Sequence, residues 1–498
     1  MAVQVVQQPN DVDLAYGPNY VTLNVIGTAE KFAIRILDNT VSPAVELALV
    51  SQSPNAVGRA QFDLQQIFQQ YVGVSKTTLE TIGSGDQVVL SDGAFESQQF
   101  QIQCGTMTGS TFTGTTTLTN KILFNGTKPY YQVPGSTVAQ ATARIQEDDG
   151  AAGCTEVDRL GKMLTEAPRN SIQYTGSLPP SVDAGTDYVA VKLADADNYT
   201  ISYFNDLERG APAASALAQG IEAFEIAEYS AAGSLLARTY IPNVQANGGG
   251  ANTTYREGAA ALYPYKSITM GAGYNNLEGM QYTDTSGTAA TTFNFNANTA
   301  AYWIIPRAYT PALCSQQYLS QAVAEPLYVV RDNTPPCNEY PNLQVSWLNR
   351  WGFRDYFKFK LKQELSQKQK SNTYNKTWNN YNDAAAGYTS TDENALMFGG
   401  ETVFNKSVTT SILANTDYLT DAESYYLNGL FRASNIRMRT DATNIPYFTD
   451  WPQYSGANWF PMVINNSKFT EKTYRKNRLF QFEIQANFAH NPQIQKGS

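Results

Sequence analysis

The chain has 498 residues, more than one hydrophobic core normally organises, yet only 16% are charged and the formal net charge is −9. With 31 Tyr and 23 Phe available for burial, this composition excludes a disordered chain and favours strands held by polar and aromatic cross-strand pairs. A single histidine, His490 near the end of the chain, argues against Ser-His-Asp, Cys-His and histidine-based zinc chemistry.

Taken in order, Val21, Leu23 and Val25 alternate with Thr22 and Asn24, and Phe32, Ile34 and Ile36 alternate with Ala33 and Arg35. Both runs predict half-buried strands. Asn55 and Gly58 mark a turn. Asp63 with Gln66 predicts a capped helix whose Leu64, Ile67, Phe68 and Tyr71 form one stripe. Phe100, Ile102 and Cys104 form a further strand, and Ile122 to Phe124 runs into an Asn125-Gly126 turn signal. Residues 1–135 therefore read as a β-sandwich carrying one short helix.

Residues 136–169 are more charged, with Glu147-Asp148-Asp149-Gly150 and Glu156-Val157-Asp158, and read as a linker with a short helical turn. The acid cluster lacks the D-x-[DN]-x-[DN]-G spacing of a calcium loop. Residues 170–340 return to strands at Tyr188 to Val191, Tyr199 to Tyr203, Tyr302 to Ile305 and Leu327 to Val330, a central β-sandwich region of one or two domains. Its polar loops include Asn247 to Gly250 and Thr285 to Gly287.

Residues 341–498 form the last β-rich part. Phe357, Phe359 and Leu361 face one way, and Lys358, Lys360 and Lys362 the other. Such a lysine row protects a sheet edge against stray pairing or docks an acidic neighbour. Gln363 to Tyr388 lacks apolar periodicity and reads as an exposed arm or loop. Thr420 and Glu423 spell a capping box for a helix over 420–434, with Tyr426, Leu427, Leu430 and Phe431 as its apolar stripe. The helix is expected to lie on a sheet closed by Phe480, Phe482, Ile484, Ala486 and Phe488, which alternate with polar residues.

The charge is unevenly divided. Residues 343–498 hold 18 Lys+Arg and 13 Asp+Glu, a balance of +5 that leaves −14 for residues 1–342. That division suits subunits packing acidic part on basic part, and equally suits two parts with independent surfaces. Cys104, Cys154, Cys314 and Cys337 are widely spaced and read as buried thiols. The N-terminus has no basic run followed by an apolar one, and no segment has the length of a membrane span. No nucleotide-binding or nucleophile-elbow motif occurs, so no catalytic residue, cofactor or metal ligand is assigned. Trp451, Tyr454 and Trp459 could stack on a sugar face, although aromatic residues at this density also fill protein interfaces.

Three runs carry a resemblance: Trp347-Leu348-Asn349-Arg350-Trp351-Gly352-Phe353 with Asp355 to Phe359; Leu413 to Thr420 with Glu423, Ser424 and Leu427; and Phe460 to Ile464 with Lys472-Thr473. Together with Pro54 to Gly58, Phe62-Asp63-Leu64, Ile67 and Tyr71-Val72, they resemble virion structural proteins of tailed bacteriophages, particularly marine and Bacteroidetes-type phages. Phe353 stands where that pattern carries a second glycine. The resemblance implies a β-rich structural role in the tail, baseplate or neck, with no active site.

The expectation is a mainly β protein of several antiparallel β-sandwich domains in series, with short helices on the sheets. Its expected role is a homo-oligomeric tail or baseplate component of the virion, contacting copies of itself and other virion proteins, with no membrane or specific nucleic-acid partner. Lys358, Lys360, Lys362, Trp347 and Trp351 are the candidate assembly contacts. The alternative is a module binding host receptor or surface glycan through Trp451, Tyr454 and Trp459, or a polysaccharide depolymerase acting through two carboxylates.

Overall fold

Period-two burial organises the polypeptide in a computed structural model that describes residues 3–9, 12–25, 31–39, 43–73, 97–118, 120–127, 145–148, 156–159, 161–163, 165, 191–195, 197–205, 223–242, 267–283, 290–307, 326–332, 343–361, 363–376, 400–417, 419, 421–440, 459–465, 481–489 and 493–494. The protein is mainly β, in several sheets, with few and short helices. No helix of the described residues is long and apolar enough to cross a membrane.

The chain forms two compact units, neither continuous in sequence. The first comprises Met1–Thr334, Ser346–Tyr356 and Ala422–Ser434, and the second Pro335–Val345, Phe357–Asp421 and Asn435–Ser498.

In the first unit, Val3–Gln7, Tyr20–Val25 and Arg59–Asp63 form a three-stranded sheet. A larger sheet runs in the order Val12–Tyr16, Lys121–Thr127, Ser97–Thr108, Lys31–Asp38 and Val45–Gln52, with Thr111–Thr117 paired to Ser97–Thr108. Both sheets give their buried faces to one core: Val21, Leu23, Ala60 and Phe62 from the first, and Phe32, Ile34, Ile36, Phe100, Ile102 and Cys104 from the second. This is the expected sandwich.

Its helix, Gln65–Tyr71, buries Leu64 and Phe68, and Phe68 meets Phe100 at 4.8 Å between ring centroids. The expected Asp63–Gln66 cap is not formed. Leu64 occupies the N-cap, while Asp63 Oδ1 accepts from the N–H groups of Gln65 at 3.0 Å and Asn19 at 3.3 Å, tying the helix start to an earlier loop. The Asn55–Gly58 turn is present: Asn55 Oδ1 accepts from Val57 and Arg59, and Gly58 has a φ of 75°.

A second pair of sheets lies in the same unit. Five strands run in the order Val191–Leu193, Leu327–Arg331, Ala301–Arg307, Ala223–Tyr229 and Leu235–Pro242; three run Gly161–Met163, Thr200–Asn205 and Ser267–Gly271. Ala223–Tyr229 is buried at every position. Its Glu228 accepts from the Asn296 N–H at 2.8 Å and the Thr299 hydroxyl at 2.5 Å, which is how a carboxylate is tolerated there. Two strand pairs are parallel, Val12–Tyr16 with Lys121–Thr127 and Val191–Leu193 with Leu327–Arg331, so the sheets are mixed where antiparallel ones were expected. The 136–169 interval, expected as a linker with a helical turn, instead contributes a hairpin, Ile145–Asp148 with Glu156–Arg159, and the strand Gly161–Met163.

In the second unit, strands follow the order Ile436–Thr440, Trp459–Ile464, Glu483–Phe488, Gly400–Asn415 and Gln363–Lys376. Ile484, Ala486 and Phe488 are buried while Glu483 and Gln485 are exposed, as the alternation predicts. Phe480 lies outside the described residues. The segment from Gln363, expected as an arm or loop, is a 14-residue strand as far as Lys376, paired along its length with Gly400–Asn415. Residues 377–388 lie outside the described residues.

A candidate assembly surface

The hairpin of Leu343–Leu348 and Arg354–Phe359 holds three of the expected contacts, Trp347, Trp351 and Lys358, and its tip, Ser346–Tyr356, belongs to the first unit. Asn349 builds the turn. Its Oδ1 accepts from Trp351 N–H at 2.9 Å and Phe353 N–H at 3.1 Å, its backbone pairs with Phe353, and its Nδ2 donates to Asp355 Oδ1 at 3.1 Å. Gly352 takes a φ of 86°, so one glycine makes the turn and Phe353 is free to pack. Phe353 joins Leu14, Ile122 and Phe124 in a small core against which Trp351 also rests.

That packing corrects the Asn125-Gly126 turn signal. Both residues lie inside the strand Lys121–Thr127, and a Cβ on Gly126 would run into the carbonyl oxygen of Arg350. The glycine there serves a close backbone approach and not a reversal.

Trp347, expected to meet a neighbouring subunit, is wholly buried. Its ring lies 5.2 Å from that of Tyr426 on the helix Asp421–Arg432, and Gly429 leaves room for the indole nitrogen, 3.1 Å from where a Cβ would stand. The helix buries Tyr426, Leu427 and Leu430 as its stripe predicts, with Phe431 half-buried. The capping residue Thr420 lies outside the described residues.

The Tyr426 hydroxyl donates to the Tyr356 carbonyl at 2.9 Å and accepts the Tyr356 N–H at 2.9 Å. The Tyr356 hydroxyl shares a 2.5 Å hydrogen bond with Thr200, and its ring lies 5.0 Å from Tyr199. Burial, reinforced by Asp355, holds the Tyr199 and Tyr426 hydroxyls well above the usual tyrosine pKa. Both hydroxyls stay protonated near neutrality and serve to tie chain segments together. Among the described residues no three His, Cys, Asp or Glu side chains are grouped to hold a metal ion.

Trp351 is half-buried, with the Arg350 guanidinium 5.0 Å from its ring. Lys358 is half-buried in the strand Arg354–Phe359, and Lys360 follows the end of that strand. Lys362 lies outside the described residues. Of the candidate sugar contacts, Trp451 and Tyr454 lie outside the described residues. Trp459 is buried in the strand Trp459–Ile464, where its ring is a core element and is not presented to a ligand.

What the surface does present are open strand edges. Val45–Gln52 ends its sheet with Val45 53% and Leu49 38% exposed, and Val57 in the following turn is 79% exposed. Gln363–Lys376 ends the other unit's sheet with residues 364–375 exposed, Leu365 and Tyr374 among them. Its sequence signal is weak because both faces are polar: there is no alternation of apolar residues to read. No known protein family and no curated protein matches the chain. Fold and surface together define a mainly β, multi-sheet protein with strand edges that have no strand neighbour among the described residues.

Proposed function

We propose that this chain is a structural subunit of a tailed-bacteriophage virion, in its tail or baseplate region, acting through contacts with copies of itself and with other virion proteins. One observation carries the reading: a 14-residue strand whose outer edge has no strand neighbour among the described residues, over a length that isolated soluble proteins normally shield. The phage assignment itself rests on the resemblance of the hairpin, helix and C-terminal motifs. A neighbouring subunit adds a strand along that edge and covers Leu365 and Tyr374. The test is mass spectrometry of purified particles combined with sedimentation of the isolated chain. The chain is expected in the particle at a multiple of the tail symmetry and as an oligomer or concentration-dependent assembly in solution. Absence from particles together with a strictly monomeric chain refutes the proposal.

A further inference from the structure

The ribbon of Gln363–Lys376 and Gly400–Asn415 is held from below at only part of its length. Glu483–Phe488 pairs with Ser411–Asn415, and Gln493–Ile494 with Lys406 and Ser407. From Gly400 to Asn405 the ribbon has two strands and no third among the described residues. Two-stranded ribbons are marginal by themselves in water, so an extension of this kind gains most from a third strand.

The charges on the ribbon say what that strand must be. Lys368, Lys370, Lys376 and Lys406 outnumber Glu364 and Glu401, leaving +2. Lys368 and Lys370 are exposed, two apart on one face, and make no ion pair among the described residues. The same edge of a second copy, laid antiparallel about its middle, would bring these lysines against each other. Directly opposed like charges destabilise a strand pair. The occupant favoured by charge is therefore an acidic strand.

The first unit holds one. Ile145–Asp148 and Glu156–Arg159 pair only with each other among the described residues, and carry Glu147, Asp148, Glu156 and Asp158 against Arg159, leaving −3. In their register Asp148 stands directly opposite Glu156.

We infer that the acidic hairpin of one copy adds to the open edge of the basic ribbon of the next copy. The inference rests on the subunit reading above and names its self-contact. Because the two surfaces differ, the contact is head-to-tail, and repeating it closes a ring or extends a filament. Main-chain hydrogen bonds supply the affinity and the charges set the partner and the register.

The experiment is a charge swap followed by sedimentation velocity of the full chain over a range of concentration and salt. Lys368→Glu with Lys370→Glu, and separately Glu147→Lys with Asp148→Lys, are each expected to weaken self-association by roughly tenfold or more. The four changes combined are expected to restore it, and added salt to weaken the wild type. Circular dichroism checks that each variant keeps its strand content. Association indifferent to either reversal, or no recovery in the combined variant, overturns this contact while leaving the subunit reading in place. A wild-type chain monomeric at every concentration overturns this contact, and only together with its absence from particles does it overturn the subunit reading as well.

Discussion

Three glycine-to-alanine substitutions separate backbone conformation from backbone proximity at the Asn349–Phe353 turn. At Gly58, φ is 75° and open space surrounds the position of a Cβ, so alanine meets only the left-handed penalty of about 1–2 kcal/mol. Reduced freedom of the unfolded chain returns ~0.4–1 kcal/mol of that. At Gly126, φ is ordinary, but the Cβ collides with the Arg350 carbonyl and comes 2.9 Å from Trp351 Cα, a backbone clash worth ~1–3 kcal/mol. Gly352 meets both: a φ of 86°, and a Cβ driven into the Asn125 carbonyl group. Net of the same unfolded-state return, Gly352→Ala should therefore cost about 1–4.5 kcal/mol, Gly126→Ala an intermediate amount, and Gly58→Ala about 0–1.5 kcal/mol. Urea unfolding followed by tryptophan fluorescence reads the effect, since Trp351 sits on the turn. If Gly352→Ala unfolds at the same urea concentration as Gly58→Ala, the turn does not lie against the strand Lys121–Thr127 and the reasoning fails.

Tyr426→Phe removes the two hydrogen bonds its hydroxyl makes to the Tyr356 backbone and should cost about 1–3 kcal/mol in the same urea assay. Glu228→Gln disturbs a buried acceptor of two hydrogen bonds and should cost more than Asp195→Asn. The latter weakens an Arg331 pair whose carboxylate is 59% exposed and should change stability by under ~1 kcal/mol, measured by the difference in urea midpoints. Burial pushes the Cys104 thiol up to about 12 from an ordinary 9.0, with Lys121 pulling weakly the other way, and raises Tyr199, Tyr302 and Tyr426 well above 10.0. Above about pH 9 the unfolded chain binds fewer protons than the folded one, so stability falls as pH rises through this window. The part of the tyrosinate absorption that comes from Tyr199, Tyr302 and Tyr426 should appear only with loss of the fold, and peptide mapping should find Cys104 unalkylated at pH 9 until denaturant is added; early alkylation of Cys104 would refute its burial.

The sandwich core was legible because one face of each strand is wet. Ile484, Ala486 and Phe488 alternate with polar residues and burial follows that alternation; Phe32, Ile34 and Ile36 are buried as their spacing predicts, although Ala33 between them is buried too. The helix at Tyr426, Leu427 and Leu430 was readable for the same reason at a different period. Elements whose two faces match were not. Ala223–Tyr229 is dry on both sides and Gln363–Lys376 wet on both, and neither writes a period-two pattern. Asn125-Gly126 misled because a glycine needed for close approach looks, in sequence, like one needed for a turn. Trp347 and Trp459 were misplaced as surface contacts because aromatic residues fill cores and interfaces alike, and only the partners of each ring decide between them.

The interleaving of the two units bears on how the polypeptide matures during translation. Tyr199 and Thr200 are made early, but the groups that cover them, Tyr356 and then Tyr426, leave the ribosome more than 150 and 220 positions later. The nascent first unit thus waits with a raw aromatic seam until the helix Asp421–Arg432 arrives, and a cut after Thr334 would leave that seam permanently unsealed. Fragments divided at a single point should aggregate under conditions in which the intact polypeptide does not.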